Sequence, residues 1–308
     1  MSVLELKRLA RITLVAIAIA PSPTLAVESP ADAALPPPIE IPFELSHGKI
    51  LLPVTVGRSR QLHVILDTGM AYEGLLLYKD LSAELDLGNT VDIQIGGAGA
   101  GKPSTGIMAD SASFHVGTHE LTNQRIIVLR DSPLSGFPND GVTGYSLFGR
   151  HAVEIDYSRE TIRLHRPRTV PPDSSWVAIP LRLASNQIPW LDASVSITGR
   201  DSVPLAVYVD LASSDTIELL IRDGMKFQLP QDTREASLGT GLSGDIHGRV
   251  GTIASLALGP FVLRDVRATF PEGAARSKQP GADGVLGNGF FQRFHVIFDY
   301  AAERLYMK

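Results

Sequence analysis

The sequence predicts an all-β fold of two related lobes, and three observations carry that expectation. Short β-branched or apolar runs bounded by Gly, Pro and Asn recur along the chain, whereas stretches with a helical period are few and short. Gly (28) and Pro (21) are frequent among the 308 residues, as a turn-rich chain requires. The second half also repeats the first at a fixed offset of 143. Asp67 maps to Asp210, Gly96 to Gly239, Gly101 to Gly244, Gly141 to Gly284, Phe148 to Phe291, Asp156 to Asp299 and Tyr157 to Tyr300.

In chain order, Lys7, Arg8 and Arg11 precede the apolar run Ile12 to Ala20 and the small-residue site Thr24-Leu25-Ala26. That order predicts a secretory signal over residues 1–26, cleaved after Ala26. The apolar run is too short for the roughly 20 residues of a membrane span. Residues 27–39, with Pro36-Pro37-Pro38, read as a Pro/Ala-rich linker. Lobe one is expected over 40–168, with strands at Ile50 to Val56, Leu62 to Leu66, Ile126 to Leu129 and within Val153 to Leu164, and a short helix within Leu75 to Leu85. Pro167, Pro171 and Pro172 mark the join. Lobe two, over 176–308, is expected to carry strands at Ala193 to Ile197, Leu205 to Val209, Thr252 to Leu258 and within Phe294 to Tyr306, with a short helix at Thr216 to Arg222. Trp176 and Trp190 are expected to pack the lobe junction.

Composition narrows the chemistry. Lys and Arg total 28 against 33 for Asp and Glu, a net charge of -5, which offers no broad basic surface to a nucleic acid. The absence of cysteine excludes disulfides, thiolate metal sites and cysteine nucleophiles. Its eight histidines are scattered without metal-ligand spacing. No metal and no cofactor is expected.

The chemistry-bearing pattern is an aspartate following a buried strand, present twice. His63-Val64-Ile65-Leu66 runs into Asp67-Thr68-Gly69, and a charged carboxylate there needs backbone amides or a counter-charge to hold it. Downstream come the Gly-rich segment around Gly96, Gly97, Gly99 and Gly101 and then Gly141-Val142-Thr143-Gly144. Lobe two repeats this with Asp210, the loop Gly239-Thr240-Gly241-Leu242-Ser243-Gly244 and Gly284-Val285-Leu286-Gly287. On these residues the chain resembles the pepsin-like and retropepsin-like aspartic proteases, particularly their bacterial, signal-bearing members, over both lobes. The resemblance implies a bilobal pepsin-like acid protease fold of two β-barrel-like lobes with a cleft between them. It also implies a catalytic dyad of Asp67 and Asp210, supported by Thr68, Gly69, Leu211, Ala212 and Ser213. Glycine-rich flaps would lie at Gly96, Gly97, Gly99 and Gly101, the main one spanning Ile95 to Gly106, and at Gly239, Gly241 and Gly244.

Asp210-Leu211-Ala212 departs from the pattern set by Asp67-Thr68-Gly69, because Leu211 has no hydroxyl to tie the two loops together and Ala212 must fit where Gly is usual. Two readings follow. The first is an exported aspartic endopeptidase that hydrolyses peptide bonds with water activated between two aspartates. The alternative is a catalytically impaired periplasmic peptide-binding relative. Either is expected to be periplasmic or secreted and monomeric, to take polypeptide as substrate or ligand, and to meet a membrane only through an uncleaved signal.

Competing motifs weigh less. Gly96 to Lys102 (GGAGAGK) approaches a phosphate-binding loop, but Pro103 follows where a magnesium-binding Ser or Thr and a helix are needed. Asp156 and Asp299 each precede a Tyr at a strand end and are expected to cap turns.

Overall fold

Residues 62–66 illustrate why this chain chooses strands. In Leu-His-Val-Ile-Leu only His63 is exposed, so the segment is buried on both faces and can satisfy its backbone only by pairing on both edges. The computed structural model describes residues 37–170, 173–199, 202–276 and 279–308. The expected signal segment and residues 27–36 of the expected linker lie outside the described residues.

The first half contains β1 (Ile39–Pro42), β2 (Glu44–Ser46), β3 (Lys49–Thr55), β4 (Leu62–Leu66), β5 (Gly74–Leu77), β6 (Val91–Ile95), β7 (Ser104–Val116), β8 (His119–Leu129), β9 (Gly141–Thr143), the single-turn helix α1 (Tyr145–Phe148), β10 (Ala152–Asp156) and β11 (Thr161–His165). The second half contains β12 (Val177–Pro180), β13 (Arg182–Leu183), β14 (Pro189–Ser196), β15 (Val203–Asp210), β16 (Ile217–Leu219), β17 (Arg234–Gly241), β18 (Gly244–Leu258), β19 (Phe261–Pro271), α2 (Gly273–Arg276), β20 (Gly284–Gly287), α3 (Asn288–Phe291), β21 (His295–Asp299) and β22 (Arg304–Met307).

Each half builds an eight-stranded sheet, in the order β2-β3-β4-β9-β5-β8-β7-β6 for one and β13-β14-β15-β20-β16-β19-β18-β17 for the other. The two orders match strand for strand, so the repeat read in the sequence is also a repeat of topology. A six-stranded sheet, β1-β11-β10-β21-β22-β12, takes strands from both halves. At its centre β10 and β21 pair antiparallel, with Glu154 opposite Ile297. The offset of 143 maps Glu154 onto Ile297, so this pair lies on the local two-fold relating the halves.

The main apolar cluster runs through both lobes, with Leu66, Phe148, Leu211, Phe290, Phe291 and Phe298 all at 0–1% exposure. Phe148 packs edge-on against Phe298 and stacks on Tyr300, joining the halves. Two expectations fail here. The helices expected within Leu75 to Leu85 and at Thr216 to Arg222 are instead the strands β5 and β16, each paired on both sides. Gly-Leu-Leu-Leu has no polar face at all, so full sandwiching between β8 and β9 overrides the weak helical preference of leucine.

Candidate active site

Both aspartates sit where a central strand ends beside a parallel neighbour. β4 pairs with β9, and the Asp67 N–H donates to the Thr143 carbonyl at 2.9 Å. β15 pairs with β20, with Asp210 opposite Gly287. Gly144 lies against the Asp67 backbone so closely that any Cβ there would collide with the Asp67 carbonyl oxygen, which explains the second glycine of Gly-Val-Thr-Gly.

The two carboxylates converge. From the position that a Cβ on Gly69 would occupy, Asp67 Oδ1 is 3.0 Å away and Asp210 Cγ 3.7 Å away. Asp67 Oδ1 accepts the Gly69 N–H at 2.6 Å, while Asp210 Oδ1 accepts the N–H groups of Ala212 at 3.0 Å and Ser213 at 3.2 Å. Burial, and then the negative charge of Asp210, push the Asp67 carboxyl up to about 7, against the opposing pull of the Gly69 N–H, Arg276 and Lys49.

Thr68, buried at 3% exposure, reaches across the lobes. Its hydroxyl donates to the Val209 carbonyl at 2.9 Å and accepts the Leu211 N–H at 3.1 Å. The reciprocal hydroxyl is missing, since the Leu211 side chain is fully buried in the main core. Ala212 is accommodated because neither it nor Gly69 adopts a left-handed backbone. Ser213 Oγ turns away from the dyad and donates to Glu218 at 2.6 Å.

Three residues that the motifs did not indicate complete the site. Lys49 Nζ, from lobe one, donates to the Ala212 carbonyl in the lobe-two loop. Burial lowers the affinity of its amine for the proton, while Asp210 and Asp67 oppose that effect. Arg276 donates from Nη2 to Asp210 Oδ2 at 2.7 Å and grips Glu218 through Nε at 2.5 Å and Nη2 at 2.9 Å. The side chains of Arg276, Asp210 and Glu218 are 10%, 13% and 7% exposed, so this ion cluster is largely withdrawn from water. The repeat itself conceals these residues, because Lys49, Glu218 and Arg276 align with Asp192, Leu75 and Pro133.

The glycine-rich segments form two hairpin tips that meet. The first connects β6 to β7 and the second connects β17 to β18. Ser243 Oγ accepts the Gly97 N–H at 3.1 Å, the Ser243 N–H donates to the Ala98 carbonyl at 2.8 Å, and Ser104 Oγ donates to the Leu242 carbonyl at 3.2 Å. Leu242 joins an apolar cluster with Ile95, Met70, Tyr72 and Ala212, so one cluster links both tips to both aspartate loops. Gly99 and Gly239 hold φ of +117° and +125°, conformations suited to glycine. The GGAGAGK segment is thus a hairpin tip leading into a strand, not a phosphate loop leading into a helix.

Asp156 caps a turn by accepting the Ser158 and Arg159 N–H groups, and Asp299 accepts those of Ala302 and Arg168. Trp176 packs with Ala152, Ile297 and Tyr306 where the lobes share a sheet. Trp190 does not pack the junction as expected; it lies mainly among Ile188, Tyr208, Leu220, Ala282 and Val285 of lobe two, because its strand β14 places it opposite Tyr208. A cavity of about 1070 Å³ is lined by Phe227, Leu229, Arg234 and Arg267, and neither aspartate borders it. Among the described residues no group of three or more His, Asp or Glu is arranged to hold a metal ion.

No family model and no curated protein matches the sequence. Among solved structures the chain is similar to an aspartic proteinase from Irpex lacteus, with a TM-score of 0.55 and 14% identity over 88% of this chain and 96% of that one. That degree of likeness concerns the backbone arrangement, and the fold is that of an aspartic proteinase with two β-rich lobes.

Proposed function

We propose that the protein is an exported aspartic endopeptidase in which Asp67 and Asp210 share one proton and activate water against a peptide carbonyl. The observation that carries this reading is the convergence of two carboxylates from equivalent strand ends, Asp67 held by the Gly69 N–H and Asp210 by those of Ala212 and Ser213, with Thr68 bridging the two loops. The Asp210 charge works against ionisation of the buried Asp67 carboxyl, so one carboxylate can serve as base and the other as acid at the same pH. The fold supports a protease-like activity, and the paired hairpins would close over an extended peptide whose backbone they could hydrogen-bond. No metal or cofactor is invoked.

The test is hydrolysis of an unfolded polypeptide from acid to neutral pH. The reading requires cleavage by the native chain and its loss in both Asp67→Asn and Asp210→Asn; cleavage surviving in either variant refutes it. Export is tested by the mature N-terminus, which should follow Ala26.

One observation favours a second reading, an impaired peptide-binding relative. The bridge between the aspartate loops is made only from the lobe-one side, because Leu211 has no hydroxyl. On that reading peptides bind without turnover, and Leu211→Thr with Ala212→Gly restores some cleavage. Among the described residues no helix is long and apolar enough to cross a membrane.

A further inference from the structure

We infer that Arg276, backed by Glu218, is a positioning residue that fixes the negative charge of the aspartate pair on Asp210 and leaves the proton on Asp67. The inference rests on the peptidase reading for its catalytic consequence, but the placement of charge stands on geometry alone.

Among the described residues the Asp210 carboxylate meets three hydrogen-bond donors: the Ala212 and Ser213 N–H groups on Oδ1 and Arg276 on Oδ2. Each of these donors is worth more to the charged carboxylate than to the neutral acid, so three on Asp210 against one on Asp67 favour the charge on Asp210. Asp67 accepts only the Gly69 N–H among the described residues, so its second oxygen is the place for the proton. A carboxylate has about four lone-pair sites, and three donors on Asp210 leave one, on Oδ2, for a water molecule.

Glu218 makes the arrangement workable. Arg276 alone would bring a full positive charge to the dyad and pull the proton off Asp67 as well. Paired through two nitrogens to Glu218, it delivers a directed hydrogen bond with much of its field cancelled. The groups facing the pair are Asp67 at the end of β4, Asp210 at the end of β15, Lys49 on β3, Glu218 on β16 and Arg276 on α2, with the phenols of Tyr72, Tyr78 and Tyr300 around Asp67.

The catalytic sequence follows. Asp210 takes a proton from water as the hydroxide adds to the scissile carbonyl carbon, and Asp67 gives its proton to the carbonyl oxygen. In collapse, the proton on Asp210 passes to the departing amine nitrogen and Asp67 recovers one from a hydroxyl of the tetrahedral carbon. The C–N bond breaks and the pair returns to its starting state.

The experiment titrates the aspartates of the full chain by carbon NMR with labelled aspartate, alongside the pH dependence of kcat/KM on an unfolded polypeptide. In the native protein one carboxyl should titrate near pH 7 and vanish in Asp67→Asn. Arg276→Gln should move that step up by about one unit or more, and Glu218→Gln should move it down, because the first removes a positive charge and the second uncovers it. The basic limb of activity should move the same way, with Arg276→Lys returning it toward the native position. Damage to packing would lower kcat without opposite displacements. If Arg276→Gln fails to fold, the downward step in Glu218→Gln still decides. Unmoved titrations in folded variants overturn the inference, as does a higher kcat at every pH in Arg276→Gln, which would make the arginine a plug. Correct titrations with no hydrolysis by the native chain would sustain the charge placement and defeat the peptidase reading instead.

Discussion

Replacing Thr68 by Val removes the hydroxyl that bridges the lobes while keeping the shape of the side chain. Thr68 is 3% exposed, and its oxygen serves two buried main-chain groups, the Val209 carbonyl at 2.9 Å and the Leu211 N–H at 3.1 Å. Leaving the Leu211 N–H without a partner costs about 1–3 kcal/mol, and the bond to Val209 adds about 1 kcal/mol. The added methyl returns under about 1 kcal/mol, because the site is already filled. The net loss should be about 2–3 kcal/mol. Urea unfolding followed by tryptophan fluorescence measures it, since Trp176 packs against the shared sheet and Trp190 lies inside lobe two. Thr68→Ser, which keeps the oxygen, should lose less than about 1 kcal/mol. If Thr68→Val matches Thr68→Ser, the hydroxyl bridge contributes nothing and the account of how the two loops are held is wrong. The two variants should also diverge in kcat, Val falling at least tenfold further, if the bridge sets the spacing of the carboxylates.

Three other outcomes follow from the same geometry. Gly69→Ala places a methyl 3.0 Å from Asp67 Oδ1 and 3.7 Å from Asp210 Cγ, so it should lower kcat far more than stability; equal losses in both would argue against crowding of the dyad. Glu154 is resisted by burial, yet the hydrogen bond from His165 and the charges of His165, His295 and Arg163 hold its carboxyl down at about 2. A depressed carboxylate stabilises the fold above its unfolded value and loses that contribution as pH falls from about 4.5 toward 2, here roughly 2–3 kcal/mol; Glu154→Gln should flatten that acid slope. Asp67 has the opposite sign: its folded carboxyl keeps the proton to about 7, so native stability declines as pH rises from about 4 to 7, and Asp67→Asn should be the more stable protein above pH 7 by about 3 kcal/mol. A denaturation midpoint for Asp67→Asn that tracks the native one across that range would refute it.

The parts of the fold that were legible are those fixed by local chemistry repeated twice. The strand over Leu62 to Leu66 and the aspartate after it follow from an apolar run closed by Thr-Gly, and the offset of 143 turned one such unit into two with the same strand order. Gly-Leu-Leu-Leu at β5 was misread because an unbroken apolar run has no period, and only its neighbours β8 and β9 decide between helix and strand. Lys49, Glu218 and Arg276 were invisible for a different reason. Arg276 meets Asp210 across 66 residues and Glu218 across 58, and contacts at such separations leave no spacing in the chain.

The position of those three residues is not arbitrary with respect to the repeat. The strand ends, which backbone pairing fixes, are equivalent in the two lobes, whereas the loops beyond them are free to differ. Lobe one holds its aspartate with Thr-Gly and the single Gly69 N–H. Lobe two offers no hydroxyl at Leu211, and it is this loop that receives Lys49 on its Ala212 carbonyl and Arg276 on its carboxylate. A symmetric site would let the proton sit on either aspartate with equal ease. Confining the cations to one loop removes that degeneracy, and the loop that departs from Asp-Thr-Gly is the one that receives them.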